Sequence, residues 1–150
     1  MFYIVHILAG AVITKFFPNI FLIIILSLVS HFLIDAIPHR DSIIDRDSFK
    51  KNYKVKITNK IIIFISTDIL ISLLLIIYLQ IHFKSPLMLF AIFVSLLPDI
   101  AKVGYFTKLK NNKILRKYLL FHSRIQKDVS WKTGLLIQAI ISFILIKVLF

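Results

Sequence analysis

The chain contains no cysteine. Disulfides, thiolate metal sites and a cysteine nucleophile are therefore excluded, and any metal must be held by nitrogen and oxygen. Three glycines and four prolines are spread over 150 residues, so little interrupts the apolar runs. Acidic residues number only seven against nineteen Lys and Arg, a formal charge of +12. That charge alone would permit nucleic-acid binding, but no reading motif accompanies it, and the placement of the basic residues has another cause given below. No Lys or Arg precedes the first apolar run, which argues against a cleaved signal peptide even though Ala9-Gly10-Ala11 is small enough for cleavage. The Asp spacing of the segment after Pro38 does not match a calcium loop.

What is present is apolar surface. Hydrophobic residues make up 59% of the chain, and the mean hydropathy is +0.89. The reading is all-α: a polytopic transmembrane helical bundle of about five spans, with one interfacial amphipathic helix. One integral membrane domain fills residues 1–150, with no room for a second. The expected spans are 2–17, 19–37, 61–81, 87–106 and 133–150. The first, broken by Lys15 and closed by Pro18, covers only about 24 Å and is short of the roughly 30 Å hydrocarbon core, so it either thins the bilayer locally or is re-entrant. Pro98 removes a donor inside the fourth run and predicts a kink beside Asp99. Between 107 and 132 the apolar residues Ile114, Tyr118, Phe121, Ile125 and Val129 form a helical stripe among Lys and Arg, the pattern of a helix lying on the membrane.

Seven Lys and Arg lie between His39 and Lys60 and nine between Lys102 and Lys132, leaving only Lys15, Lys84 and Lys147 elsewhere. Both basic segments fall on one side of a five-span chain. The positive-inside rule makes that side cytoplasmic, with the N-terminus in and the C-terminus out, as for a protein of a bacterial-type inner membrane.

Depth along each helix then follows from the rise per residue. His31, Asp68 and Asp99 each lie about 10 Å inside the cytoplasmic ends of three different spans, with His6 at about 8 Å in the first. Ionisable residues in a span are costly and mark function by default. The densest stretch is Ser30 to Asp41. His31 and Asp35 share a helix face at i, i+4, and Pro38 stops the helix so that His39 and Asp41 fold back toward it. Histidine and carboxylate in one layer suit a divalent metal, zinc first. The candidate metal ligands are His6, His31, Asp35, His39, Asp68, Asp99 and His122. Asp35 and Asp41 are the candidate bases, and Arg40 and Arg124 the candidates for holding a phosphate. Bland readings stand beside these: Asp99 pairing with Lys102, His6 as a packed ring, His122 as a surface histidine.

His6-Ile7-Leu8-Ala9-Gly10, Leu97-Pro98-Asp99 and a later histidine resemble the bacterial family of membrane-bound metal-dependent hydrolases. The resemblance is scattered over residues 6–124. It implies a transmembrane helical fold with a metal-dependent hydrolytic site. Two family features depart here. The expected Pro-Asp-x-Asp-His continues as Pro98-Asp99-Ile100-Ala101-Lys102, and in place of His-Arg-x-x-Thr-His stands Phe121-His122-Ser123-Arg124. The His31–Asp41 cluster is the candidate source of the missing ligands.

The expected function is a membrane-embedded metal-dependent hydrolase acting on an ester or phosphoester, such as a lipid-linked phosphate reached laterally from the bilayer. Its partners are then the bilayer and that substrate, not nucleic acid. The competing classes are an ion- or metal-handling protein and a non-catalytic scaffold whose basic loops bind anionic lipid.

Overall fold

In a computed structural model of the protein, which describes residues 1–40, 46–55 and 57–150, the secondary structure is helical apart from one isolated bridge. Among the described residues seven α-helices follow one another: α1 (Tyr3–Phe16), α2 (Ile20–Ala36), α3 (Arg46–Asn52), α4 (Asn59–Phe83), α5 (Pro86–Ile100), α6 (Lys113–Ile125) and α7 (Trp131–Leu149). Short 3-10 turns, Ala101–Phe106 and Lys108–Asn111, join α5 to α6.

Capping fixes most of the starts. Asn19, Thr58, Ser85, Asn112 and Ser130 each accept from backbone N–H groups of the helix that follows. α1 has no such cap of its own. Its first donors are met by other helices instead: Phe2 N donates to Gln138 Oε1 at 2.8 Å, and Tyr3 N to Asp68 Oδ2 at 3.3 Å. α7 and α4 thus supply the partners that the start of α1 lacks.

α1 is the centre of the bundle, in contact with α2, α4, α5 and α7. Its tightest approach is at Gly10, where a Cβ would stand 3.0 Å from both the Ala91 carbonyl oxygen and Ser95 Oγ. Ile7, Leu8, Ala11, Leu79, Met88 and Ile92 form the apolar core beside it. Outside, the polarity runs opposite to that of a water-soluble protein: Phe21 is 73% exposed, Ile81 69% and Phe143 61%. These side chains cover the flanks of α2, α4 and α7, the surfaces a bilayer would wet.

α4, α5 with its 3-10 extension to Phe106, and α7 are long and apolar enough to cross a membrane. α1 and α2, of 14 and 17 residues, are shorter apolar helices. α5 continues past Pro98 to Ile100 and then tightens into the 3-10 turn. The expected amphipathic helix is α6, but its buried face is Leu119, His122 and Ser123. Ile114 is 80% and Phe121 54% exposed, so the apolar stripe divides between the bundle and its surroundings. Val129 lies beyond the end of α6, in the linker to α7.

Candidate metal centre

Asp35 stands at the middle of the polar cluster, fully buried, one turn below His31 on α2. Each of its oxygens faces a separate set of groups. Oδ2 accepts from Gln126 Nε2 at 2.7 Å and lies 3.3 Å from His122 Nε2 and 3.6 Å from His31 Nε2. Oδ1 lies 2.8 Å from the Met1 amine, 3.3 Å from His6 Nε2 and 3.8 Å from His39 Nε2. Asp99, on α5, completes the first set, with Oδ1 3.7 Å from His122 Nε2 and 3.8 Å from His31 Nε2.

His31, Asp35, Asp99 and His122 therefore offer one ligand atom each, all within 4.8 Å of one another and all buried. His31 Nε2 and His122 Nε2 are 3.0 Å apart. For ligands about 2.0–2.2 Å from a zinc ion, a tetrahedron has edges of about 3.3–3.5 Å. The separations of 3.0–3.8 Å fall around that value. The four residues come from α2, α5 and α6, so the fold and not a local motif builds the group.

Hydrogen bonds orient the rings. A carbonyl only accepts, so the 2.8 Å contact of His31 Nδ1 with the Ser95 carbonyl oxygen places the ring proton on Nδ1 and leaves the Nε2 lone pair facing the cluster. The 2.7 Å contact of His39 Nδ1 with the Ile37 carbonyl does the same for His39. Burial lowers the pKa of His122 to about 3, the Lys102 charge adding to the effect, so its imidazole is neutral. A neutral imidazole is the form that binds a metal. Tyr118, one turn before His122, donates its hydroxyl to the Pro98 carbonyl at 2.7 Å and ties α6 to α5. Its pKa is pushed up to about 12 by burial, so the phenol stays a donor.

Of the other residues expected at a site, His6 is fully buried and its ring stacks on His31 at 4.1 Å between centroids. Neither His6 ring nitrogen makes a well-formed hydrogen bond. His39 reaches the cluster because its backbone pairs with the α6–α7 linker, its N donating to the Lys127 carbonyl at 3.1 Å. Asp68 stands apart from the four-residue group, capping Tyr3 N. Arg40 lies over the Trp131 ring at 5.8 Å. Arg124 is exposed on α6. Asp41 lies outside the described residues. The bland pairing of Asp99 also holds, with Lys102 Nζ 2.5 Å from Asp99 Oδ1.

Comparison of the chain with family models, curated proteins and solved structures gave no match.

Two glutamines were not singled out in the sequence as parts of the site. Gln126 holds Asp35, and Gln138 links three elements by accepting from Phe2 N and donating to the carbonyls of Arg40 and Gly134. For Gln138 the available signal was a lone amide in an otherwise apolar span, which needs an internal partner once water is absent, whereas Gln126 stands in a polar linker that gives no such signal.

Proposed function

We propose that this protein is an integral membrane metalloenzyme that hydrolyses an ester or phosphoester, with a divalent ion, zinc first, held by His31, Asp35 and His122. The observation that carries this reading is the convergence of two neutral-capable imidazoles and two carboxylates, all buried, from three helices. The resemblance of His6–Gly10 and Leu97–Asp99 to membrane-bound metal-dependent hydrolases points the same way. So does the basic character of both loops at this end of the bundle, which favours a cytoplasmic site.

The roles follow from the donor set. A catalytic ion keeps a position open for water, whereas four protein ligands close the shell. Asp99 is the candidate to stand back. Its oxygen makes the two longer edges, to His31 and His122, and is shared with the Lys102 ammonium. His31, Asp35 and His122 would then hold the ion, and Asp99 is placed to take a proton from water activated there. A bound divalent ion would lower the pKa of that water and offset charge developing on the substrate. Gln126 and the Ser95 carbonyl keep Asp35 and His31 oriented.

The test is elemental mass spectrometry on the purified protein and on variants whose helicity is unchanged by circular dichroism. Near-stoichiometric divalent metal is expected in the parent, with loss in His31→Ala/Asp35→Ala. Asp99→Asn should keep its metal and lose at least about 100-fold in turnover of the first ester or phosphoester found to react. Metal lost from Asp99→Asn would instead favour a closed four-ligand site in a non-catalytic scaffold. No metal in the parent, even with excess ions supplied, would end the hydrolase reading.

A further inference from the structure

A cavity of about 180 Å³ opens beside the cluster, bounded by α4, α6 and the Ala101–Phe106 turn. Most of its wall is apolar, including Phe49, Val55, Phe64, Ile65 and Phe106. Its polar residues gather toward the metal centre, because Lys102 pairs with Asp99 while His122 and Gln126 both touch Asp35. Ser123 also lines the cavity. It is 7% exposed, and its Oγ has no hydrogen-bond partner. A buried hydroxyl left without a partner is costly, and a ligand oxygen at that position would satisfy it. A second cavity, of about 450 Å³, lies between α1 and α4 along Phe2, Ile4, Ile63 and Ile71. The two cavities share Phe64 and Asp68, so they adjoin on α4, and a path through both would lead to the cluster from the flank of a helix long and apolar enough to cross a membrane.

We propose that this path binds an anionic membrane lipid with a phosphate monoester head, the head at Ser123 and Lys102 beside His122 and an acyl chain along Phe64 toward the α1–α4 seam. Charge selects the head. With the Lys102–Asp99 pair intact, a divalent ion and the Lys102 ammonium together would exceed the charge of Asp35 and Asp99, so the head that fits beside them is an anion. The apolar walls select the tail, since a water-soluble phosphate would leave them empty. The proposal names the substrate class of the site described above, yet lipid binding itself does not require that the lipid be cleaved.

Trp131 makes it testable. It is the sole tryptophan, and its ring lies edge-on to Phe64 at 5.5 Å between centroids. A bromine-labelled acyl chain passing Phe64 would quench Trp131 emission. The protein would be reconstituted in phosphatidylcholine vesicles, with metal content measured on the same sample. A brominated phosphonate analogue of phosphatidic acid with ether-linked chains, which hydrolysis cannot cleave, is then compared with brominated ether-linked phosphatidylcholine at the same mole fraction. The expected result is several-fold stronger quenching by the phosphonate. Ser123→Ala and Ile65→Phe should each remove that excess while retaining the parent's metal content, and inorganic phosphate should not displace the lipid. Equal quenching by the two lipids overturns the proposal, as does an excess that survives both substitutions, which would mark the basic loops as its source. Displacement by inorganic phosphate overturns the lipid assignment in favour of a soluble anion. Because metal is measured separately, metal present without lipid preference sinks this proposal alone, whereas lipid preference without metal sinks the hydrolase and the charge argument for the head with it.

Discussion

A single aspartate carries more of the site than any other residue. Asp35 is contacted through Oδ1 by His6, His39 and the Met1 amine, and through Oδ2 by His31, His122 and Gln126. Removing one member of a buried charged network strands its partners, at a cost of about 3–5 kcal/mol. Asp35→Ala should therefore lower stability by that amount in a reversible denaturant titration in detergent, even without metal; a loss under 1 kcal/mol would mean the partners re-pair. Gln138 is a smaller case. Gln138→Leu keeps the volume but leaves Phe2 N and the Arg40 carbonyl without their partners, and about 1–3 kcal/mol should be lost. If Gln138→Leu proves neutral, water has reached these groups.

At the scale of the helices, the pieces were legible and their rotation was not. Hydropathy and proline placement located α1, α2, α4, α5 and α7 to within a few residues, and α6 from its alternation of Lys and apolar residues. The i, i+4 spacing put His31 and Asp35 on one face, and counting the rise per residue put His6, Asp99 and His31 at one depth. Depth says nothing about which way a side chain points. Asp68 shares the layer but turns to Tyr3, and no periodicity could tell it from Asp99. His122 read equally as a surface residue until α6 was laid against Pro98 and Asp99. The close approach at Gly134 was no more legible, and that glycine was not marked. A Cβ at Gly134 would lie 2.5 Å from the Arg40 backbone nitrogen. Gly134→Ala must push Arg40 away and should cost about 1–3 kcal/mol. It should also reduce metal retention by disturbing the His39 segment next to Arg40. Unchanged stability and metal content would show that the linker moves freely.

For the molecule as a whole, orientation in the bilayer is the open arrangement, and the missing cysteines make it measurable. Any introduced thiol is the only one to label. Single cysteines at Lys54 and Lys108 should react with an impermeant maleimide from one side of sealed vesicles, and one at Lys84 from the other. Lys54 and Lys108 reacting from opposite sides would break the proposed arrangement. The result does not hinge on α1 and α2 being full spans, because a hairpin that dips into the bilayer and returns leaves Met1 and Pro38 on the same side as a hairpin that crosses twice.

The long reach of the cluster along the chain has a consequence for biogenesis. His31 and Asp35 leave the ribosome with the first hairpin, whereas His122 and Gln126, 91 residues later in each pairing, arrive only with α6. Until then Asp35 has the Met1 amine and His6 on Oδ1, and His31 gains the Ser95 carbonyl once α5 is made, but Asp35 Oδ2 and His31 Nε2 lack the partners that α6 and the residue after it bring. Those atoms must be hydrated or covered in the nascent chain, and the docking of α6 is the step that completes the cluster. Sequence changes that slow that docking should lower yield in the membrane before they alter anything in the finished protein.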